Sequence, residues 1–525
     1  MRIPAYFFLL LTFPNPTTAQ KIISADICVY GASSGGVIAA YTAARLGKKV
    51  ILITPAKHLG GLSSGGLGNT DIGNKIAITG LARNFYQRVG HHYGKSEQWI
   101  FEPHVAEDIF KEYLKETDVS VLYGQDLQSV FKKRKRIVEI HTLAASRKEV
   151  DTDFIIRARI FIDCSYEGDL MAKAGVTYTV GRENNQKYRE TYNGFQLLDK
   201  HQFPDGVDPY IIPGKPESGL LWGISNENAA TQGDGDKKVQ AYNFRLCLTD
   251  SVENRLDISR PEGYDSTRYE LLLRYIQIKK PQHLEEGLLN INAIPNHKTD
   301  INNNGPFSTD MIGMNYSYPE ADEMTRKNII QMHMIYLKGL LYFLGHDKRM
   351  PENLSDEMRR WGYPRDEFVD NEHWTPQLYI RESRRMTGEY IMTEANCVGK
   401  LKVLDGVGLA AYTMDSHNCQ RIVFHGMVKN EGDVQIGGFP PYPVSFRAIV
   451  PKISDCTNLL VPVCLSASHI AYGSIRMEPV FMVLGQSAAV AACLAIQMNL
   501  PIQKIPVEKL QRELKENPLA LRKFK

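Results

Sequence analysis

Apolar residues come in short unbroken runs near the start of this chain and at helical spacing further on. Ile27-Cys28-Val29-Tyr30 is a run of β-formers with no polar break, the pattern of a strand buried on both faces. It stops at Gly31-Ala32-Ser33-Ser34-Gly35-Gly36, where small residues let backbone come close to a ligand. Residues 37–46 carry Ala39, Ala40, Ala43 and Ala44, small side chains that let a helix pack tightly on a sheet. Gly47 ends that helix, and Val50-Ile51-Leu52-Ile53 is a second buried strand. In residues 103–115, Val105, Ile109, Phe110, Tyr113 and Leu114 fall on one helical face, which is core. Residues 119–123, 127–131 and 137–143 read as a meander of strands, with the basic run Lys132-Lys133-Arg134-Lys135-Arg136 as a solvated hairpin tip. Residues 154–163 are a further strand, and Cys164-Ser165-Tyr166-Glu167-Gly168-Asp169-Leu170 turns from it into a helix at 171–174.

The texture changes between 177 and 376, where aromatic residues, prolines and polar loops dominate. A long helix over 320–344 has Ile329, Ile330, His333, Tyr336, Leu337, Leu340 and Leu344 on its apolar side, so His333 reads as a core histidine. Sheet-like chemistry returns afterwards. Residues 377–385 set Arg381, Arg384 and Arg385 beside an apolar strand, Tyr412-Thr413-Met414-Asp415-Ser416-His417 follows another, and 458–463 is one more. Pro479 suits a helix first turn, and residues 480–496 form an alanine-rich helix against the sheet. The fold class is α/β: a Rossmann-like nucleotide-binding domain interrupted by an α+β substrate domain. The expected divisions are 1–19, 20–176 (first part of the nucleotide domain), 177–376 (the insertion), 377–510 (second part) and 511–525 (a tail).

Composition narrows the setting. A chain of 525 residues exceeds one ordinary domain, and a net charge of +3 gives no reason to expect nucleic acid or a charged membrane surface. Arg2, an apolar run over 5–13, Pro14, Pro16 and Thr17-Thr18-Ala19 make a signal peptide cut after Ala19, hence a secreted or periplasmic protein. No later run is expected to cross a bilayer, so no integral membrane segment is expected. The eight cysteines show no C-x-x-C pair and read mostly as buried thiols. Asp300-Ile301-Asn302-Asn303-Asn304-Gly305 imitates a calcium loop, but position twelve is Met311 and Pro306 follows at once. It is expected to be a polar turn, and no metal site is expected.

The first strand, turn and helix aim free N–H groups at a dinucleotide phosphate. Ser33 stands at the middle glycine of the usual G-x-G-x-x-G, and Thr54 stands where an acidic residue usually grips the ribose. Lys57-His58-Leu59-Gly60-Gly61-Leu62-Ser63-Ser64-Gly65-Gly66 reads as backbone laid against a flat ligand, or else as a surface loop.

With residues 30–36, 58–66, 161–170 and 459–492 in view, the last holding Ser468-His469 and Arg476-Met477-Glu478-Pro479, the chain resembles the FAD-dependent oxidoreductase family. The likeness is to members with the glutathione-reductase-type flavin fold (three-layer β-β-α) in its secreted bacterial branch. Residues 378–388 and 412–417 extend it across most of 26–500. The resemblance implies FAD as cofactor, with Gly31, Ser33, Ser34, Gly36, Thr54, Gly60, Gly61, Leu62, Asp163, Ser165, Arg476, Glu478 and Gln486 around it. His469 is the expected proton donor or acceptor and Arg476 the stabiliser of reduced flavin, with Arg384 and His417 on the substrate. Each has a structural alternative, in which the arginines pair with carboxylates such as Glu382 or Asp415. The implied reaction is hydride transfer between flavin and a small polar substrate, a sugar, alcohol or hydroxy acid, with the electron acceptor left open. Two rivals stand beside it: a double-bond reductase in the manner of fumarate reductases, and a non-catalytic carbohydrate-associated protein that kept the nucleotide fold.

Overall fold

A computed structural model describes residues 21–145 and 152–523, so the expected leader at 1–19 lies outside the described residues. Its central sheet has seven strands. β1 (Lys21–Tyr30) pairs in parallel with β2 (Val50–Ile53), and β2 pairs in parallel with β3 (Ser120–Leu122). On its other edge β1 runs along the full length of β6 (Phe154–Asp163), from Lys21 opposite Phe154 to Tyr30 opposite Asp163. The free edge of β6 is then divided. Its first residues pair antiparallel with β5 (Arg136–Ala144), and Phe161 and Ile162 pair in parallel with the short strand Leu459–Leu460. β4 (Gln125–Lys133) closes the sheet by a hairpin to β5, with the basic run at its tip.

Period-two alternation explains the layers. Ile27, Val29, Leu52, Ile160 and Ile162 face a core of helices that includes α1 (Ser34–Arg45), Pro103–Lys115 and Glu478–Met498. Cys28, Tyr30, Ile51, Ile53 and Phe161 face the other way, into a core shared with Leu127, Ile137 and Ile140 of the hairpin. The result is a mixed α/β fold around a largely parallel sheet. A separate core gathers side chains from Phe203 to Ile380 and takes in Val428. It is built largely on the 24-residue helix Glu323–His346, where His333 is buried with its ring nitrogen Nδ1 bonded to the Ile329 carbonyl.

Four local expectations change. β3 does not join the meander but extends the parallel edge at β2. Residues 298–303 form a strand paired with Leu289–Ile294 instead of a polar turn, because Asp300 is buried against Arg245 and the partner strand lies just upstream. Residues 376–384 contain no regular strand, and only Arg385–Met386 pairs, with Tyr178–Thr179. The helix Glu478–Met498 is long and apolar enough to cross a membrane, contrary to expectation, and every residue of its most apolar stretch is buried inside the protein. All eight cysteines are buried and free.

Candidate active site

The carboxyl ends of β1, β2 and β6 meet the start of α1 at a groove of about 330 Å³ lined by Gly31–Ser33, Thr54–His58, Gly61 and Cys164–Glu167. The turn at its base is set by two glycines. Gly31 has φ +95°, and a β-carbon there would lie 2.5 Å from the Ser165 nitrogen. A β-carbon on Gly36 would lie 1.9 Å from the Gly31 carbonyl oxygen. Ser33 needs no glycine, because its φ is −60°. Its hydroxyl accepts from the Gly36 N–H at 3.3 Å and donates to the Cys164 carbonyl at 2.8 Å, joining the two strand-to-helix turns. The serine that departs from the dinucleotide pattern is thus the N-cap of α1. Thr54 is buried at the end of β2 and accepts from the Ala56 N–H at 3.2 Å.

The glycine loop over 59–68 is almost wholly buried, which removes the surface-loop alternative. Glu478 fastens it. One carboxylate oxygen accepts from Ser34 at 2.5 Å and Ser63 at 3.3 Å, and the other accepts from Tyr166 at 2.7 Å, whose own oxygen accepts from the Leu62 N–H at 2.9 Å. Burial lifts the Glu478 pKa to about 7, against the opposing pull of its three hydroxyl donors. The native state therefore holds this proton more tightly than the unfolded chain, whose ordinary value is 4.5. Its contribution to stability is fully present below that value and is lost as pH rises towards 7. In FAD-free protein, the loss amounts to about 3 kcal/mol across that window. Denaturant unfolding of wild type and Glu478→Gln across that range is the check, and parallel pH profiles would refute the assignment.

Asp71, at the far end of the loop, opens on a second cavity of about 340 Å³ lined almost entirely by polar groups. A chain of charges runs along and behind its wall, with Tyr379, Asp415 and His417 on the lining. Arg381 meets Asp310 at 2.8 Å, and Asp310 meets His417 Nδ1 at 2.6 Å. His417 Nε2 lies 3.6 Å from Asp415, and Asp415 meets Arg476 at 3.0 Å. Arg476 donates to the Tyr379 hydroxyl at 2.7 Å. Burial and Arg381 pull the His417 pKa down, but Asp310 and Asp415 outweigh them and hold it above the ordinary histidine value. Asp415 is held well below the carboxylate range: burial opposes ionisation, and His417, Arg476 and Arg381 prevail.

The structure gathers the expected residues unevenly. Gly31, Ser33, Thr54, Gly61 and Ser165 line the groove, and His417 lines the polar cavity. Ser34, Gly36, Gly60, Leu62, Arg476 and Glu478 line neither cavity: Gly36 packs on Gly31, Gly60 bonds Ala32, Leu62 and Glu478 bond Tyr166, Ser34 bonds Glu478, and Arg476 bonds Tyr379. Asp163 is spent on its own turn, accepting from Ser165 and Met171, and burial raises its pKa to about 6. His469 lines neither cavity. Its Nδ1 lies 2.6 Å from Glu382 and its Nε2 3.1 Å from Ser416, so both ring nitrogens are engaged in the interior. Arg384 lines neither cavity: Asp169 and Glu320 hold it, both at 2.7 Å, and it donates to the carbonyl of the groove residue Glu167 at 3.2 Å. Gln486 accepts from the Leu81 N–H and donates to the Pro518 carbonyl, beside a different cavity.

Sequence reasoning missed Asp71, Arg245, Asp310 and Tyr379. Arg245 sits between Phe244 and Leu246, and a lone arginine in an apolar run was the available signal. Among the described residues Glu102, His104 and Glu367 are close enough to share a metal, but the Lys298 ammonium already lies 2.8 Å from Glu102 and 2.7 Å from Glu367.

A family model described as FAD dependent oxidoreductase matches residues 26–514. The chain belongs to that family. Membership brings FAD as cofactor and oxidoreduction as the chemistry, and the residues present fit it. A helix N-terminus with glycine-only approach faces the groove, and Arg476 Nε, beside the polar cavity residues Tyr379 and Asp415, is a buried donor lacking a hydrogen-bond partner. No curated protein matches. Among solved structures, similar chains include Thermovibrio ammonificans THI4 (16% identity, 30% of this chain and 66% of that one, TM-score 0.23). Others are 3-ketosteroid-delta4-(5alpha)-dehydrogenase from Rhodococcus jostii RHA1 (14%, 31% and 50%, TM-score 0.20) and the myxobacterial chondrochloren halogenase CndH (13%, 30% and 41%, TM-score 0.24). The matched regions span only part of those proteins.

Proposed function

We propose that this flavoenzyme oxidises a small polar alcohol, with the FAD pyrophosphate at the Gly31–Gly36 turn and the substrate in the polar cavity. The supporting observation is the glycine loop: Gly61 lines the groove, Asp71 lines the cavity, and nine mostly buried residues, 62–70, join the two. Bound FAD supplies the two-electron acceptor. The chain's own task is to hold the alcohol and take its hydroxyl proton, and His417 Nε2 is the group on the cavity wall suited to that. The neutral imidazole is the active form for oxidation, so the rate rises with pH through a midpoint raised from the ordinary histidine value.

The double-bond reductase reading loses its motive, since Arg381, Arg384 and Arg385 are all occupied by internal carboxylates. Stopped-flow mixing of oxidised holoenzyme with sugars and alcohols, and of pre-reduced holoenzyme with fumarate, separates the two. His417→Gln is expected to keep FAD and slow flavin reduction by about 10²–10⁴-fold. Unaltered kinetics in that variant, or turnover with fumarate alone, would count against the proposal. Export is part of the same proposal, and N-terminal sequencing of protein from its native host should begin at Gln20.

A further inference from the structure

We infer that the polar cavity takes a neutral polyhydroxylated ligand, a carbohydrate ring, with one hydroxyl seated between Arg245 and Asp71. The inference rests on the cavity being the substrate site and adds the chemical class it admits.

The first argument is charge. Asp300 holds Arg245 through two bonds of 2.7 and 2.5 Å, Asp415 holds Arg476, and Asp310 holds His417. At the rim, His201 lies 2.7 Å from Asp433. Asp310 is shared between His417 and Arg381, Asp71 adds a carboxylate to the lining, and the remaining lining cation, Lys200, is exposed. An entering carboxylate would meet Asp71 and Asp415 in the interior, where Arg245, Arg476 and His417 are already engaged, and would find only the exposed Lys200 beyond them, at a cost in desolvation. A hydroxyl carries no such penalty.

The second argument is hydrogen-bonding capacity. Arg245 is 2% exposed, and its Nη1 has no hydrogen-bond partner. Asp71 Oδ2 lies 3.7 Å from it, beyond hydrogen-bond reach. A hydroxyl placed between them accepts from Nη1 and donates to Oδ2 at once, which neither a carboxylate nor an ammonium can do. Tyr412 steadies the acceptor by donating to Asp71 Oδ1 at 3.2 Å. Asn290 and Asn302–Asn304 supply amides on the lining, and Tyr379 and Tyr412 supply aromatic rings. Asn302 Oδ1, Asn303 Oδ1 and Asn304 Nδ2 are engaged inside the protein, and the remaining amide groups, those of Asn290 included, are suited to hydroxyls.

The test is calorimetric titration of FAD-loaded protein with methyl glucoside, methyl galactoside and methyl mannoside, beside succinate and fumarate. At least one glycoside is expected to bind, and the dicarboxylates are not. Asp71→Ala should weaken that glycoside by about 10–100-fold, the usual loss for a hydrogen bond to a charged group. FAD absorbance and reduction by dithionite should be unchanged. Asp71 is partly exposed, so this variant is expected to fold, and Tyr412→Phe gives a second, milder loss. Glycoside binding without flavin reduction supports this inference while overturning the redox role of the cavity. Dicarboxylate binding at equal or higher affinity, absence of glycoside binding, or unaltered affinity in folded Asp71→Ala overturns it.

Discussion

Gly36→Val is expected to give colourless protein. A β-carbon at this position falls 1.9 Å from the Gly31 carbonyl oxygen and 3.1 Å from the Cys164 β-carbon. The first neighbour is backbone and cannot rotate away. Relief requires the turn to open, which displaces the Gly36 N–H from Ser33 and tilts the first turn of α1. Core overpacking typically costs about 1–3 kcal/mol, and a backbone collision belongs at or above the top of that range. FAD affinity should fall by about 100-fold or more, since the helix N-terminus that receives the pyrophosphate is the part that moves. Ser33→Gly is the control: it removes a cap but introduces no collision, costs about 0.5 kcal/mol or less, and should stay yellow. A folded Gly36→Val protein with unchanged FAD affinity would remove the phosphate assignment.

Arg476→Met should keep FAD but lower the flavin midpoint potential and slow substrate-driven reduction. Arg476 is 3% exposed, with Nη1 on the Tyr379 hydroxyl and Nη2 on Asp415 and Gln240. It lies immediately before the helix Glu478–Met498, whose N-terminal dipole adds to its positive charge. Losing this cation should cost about 10²–10³-fold in reduction rate, the scale seen when one donor to a developing anion is removed. Asp415 would also lose its arginine, so Arg476→Lys provides a variant that retains charge. Redox titration and anaerobic stopped-flow are the measurements. A purely structural arginine would show lost stability or lost FAD with an unmoved potential in the protein that survives.

What could be read in the sequence was what is local. The strand from Ile27 to Tyr30, the glycine turn and the alanine-faced helix are contiguous, so propensity and period point the same way. Ser33 looked like a defect in the motif because its partner, the Cys164 carbonyl, belongs to another strand. The calcium-like stretch was misread for a related reason: Asp300 is explained by Arg245, and its strand by Leu289–Ile294. His469 was expected at the flavin because a histidine before a core helix suggests chemistry. In the fold, Glu382 and Ser416 enclose it. The polar cavity draws Asp71, Arg245, Asn303 and Asp415 from four distant segments, and no spacing rule links them.

The helix Glu478–Met498 crosses α1 where each backbone lies nearly on the other, with Gly35 and Gly485 at the crossing. The two helices are far apart along the chain, with 444 residues between Ser34 and Glu478. Until the ribosome has released the second helix, the sheet face beneath it stays bare, and Ser34, Ser63 and Tyr166 lack the carboxylate that joins them. The carboxylate that closes this cluster thus comes from a segment 444 residues downstream of Ser34. A truncated product ending before Glu478 would expose apolar surface and hold no flavin, two marks by which proteases can remove it.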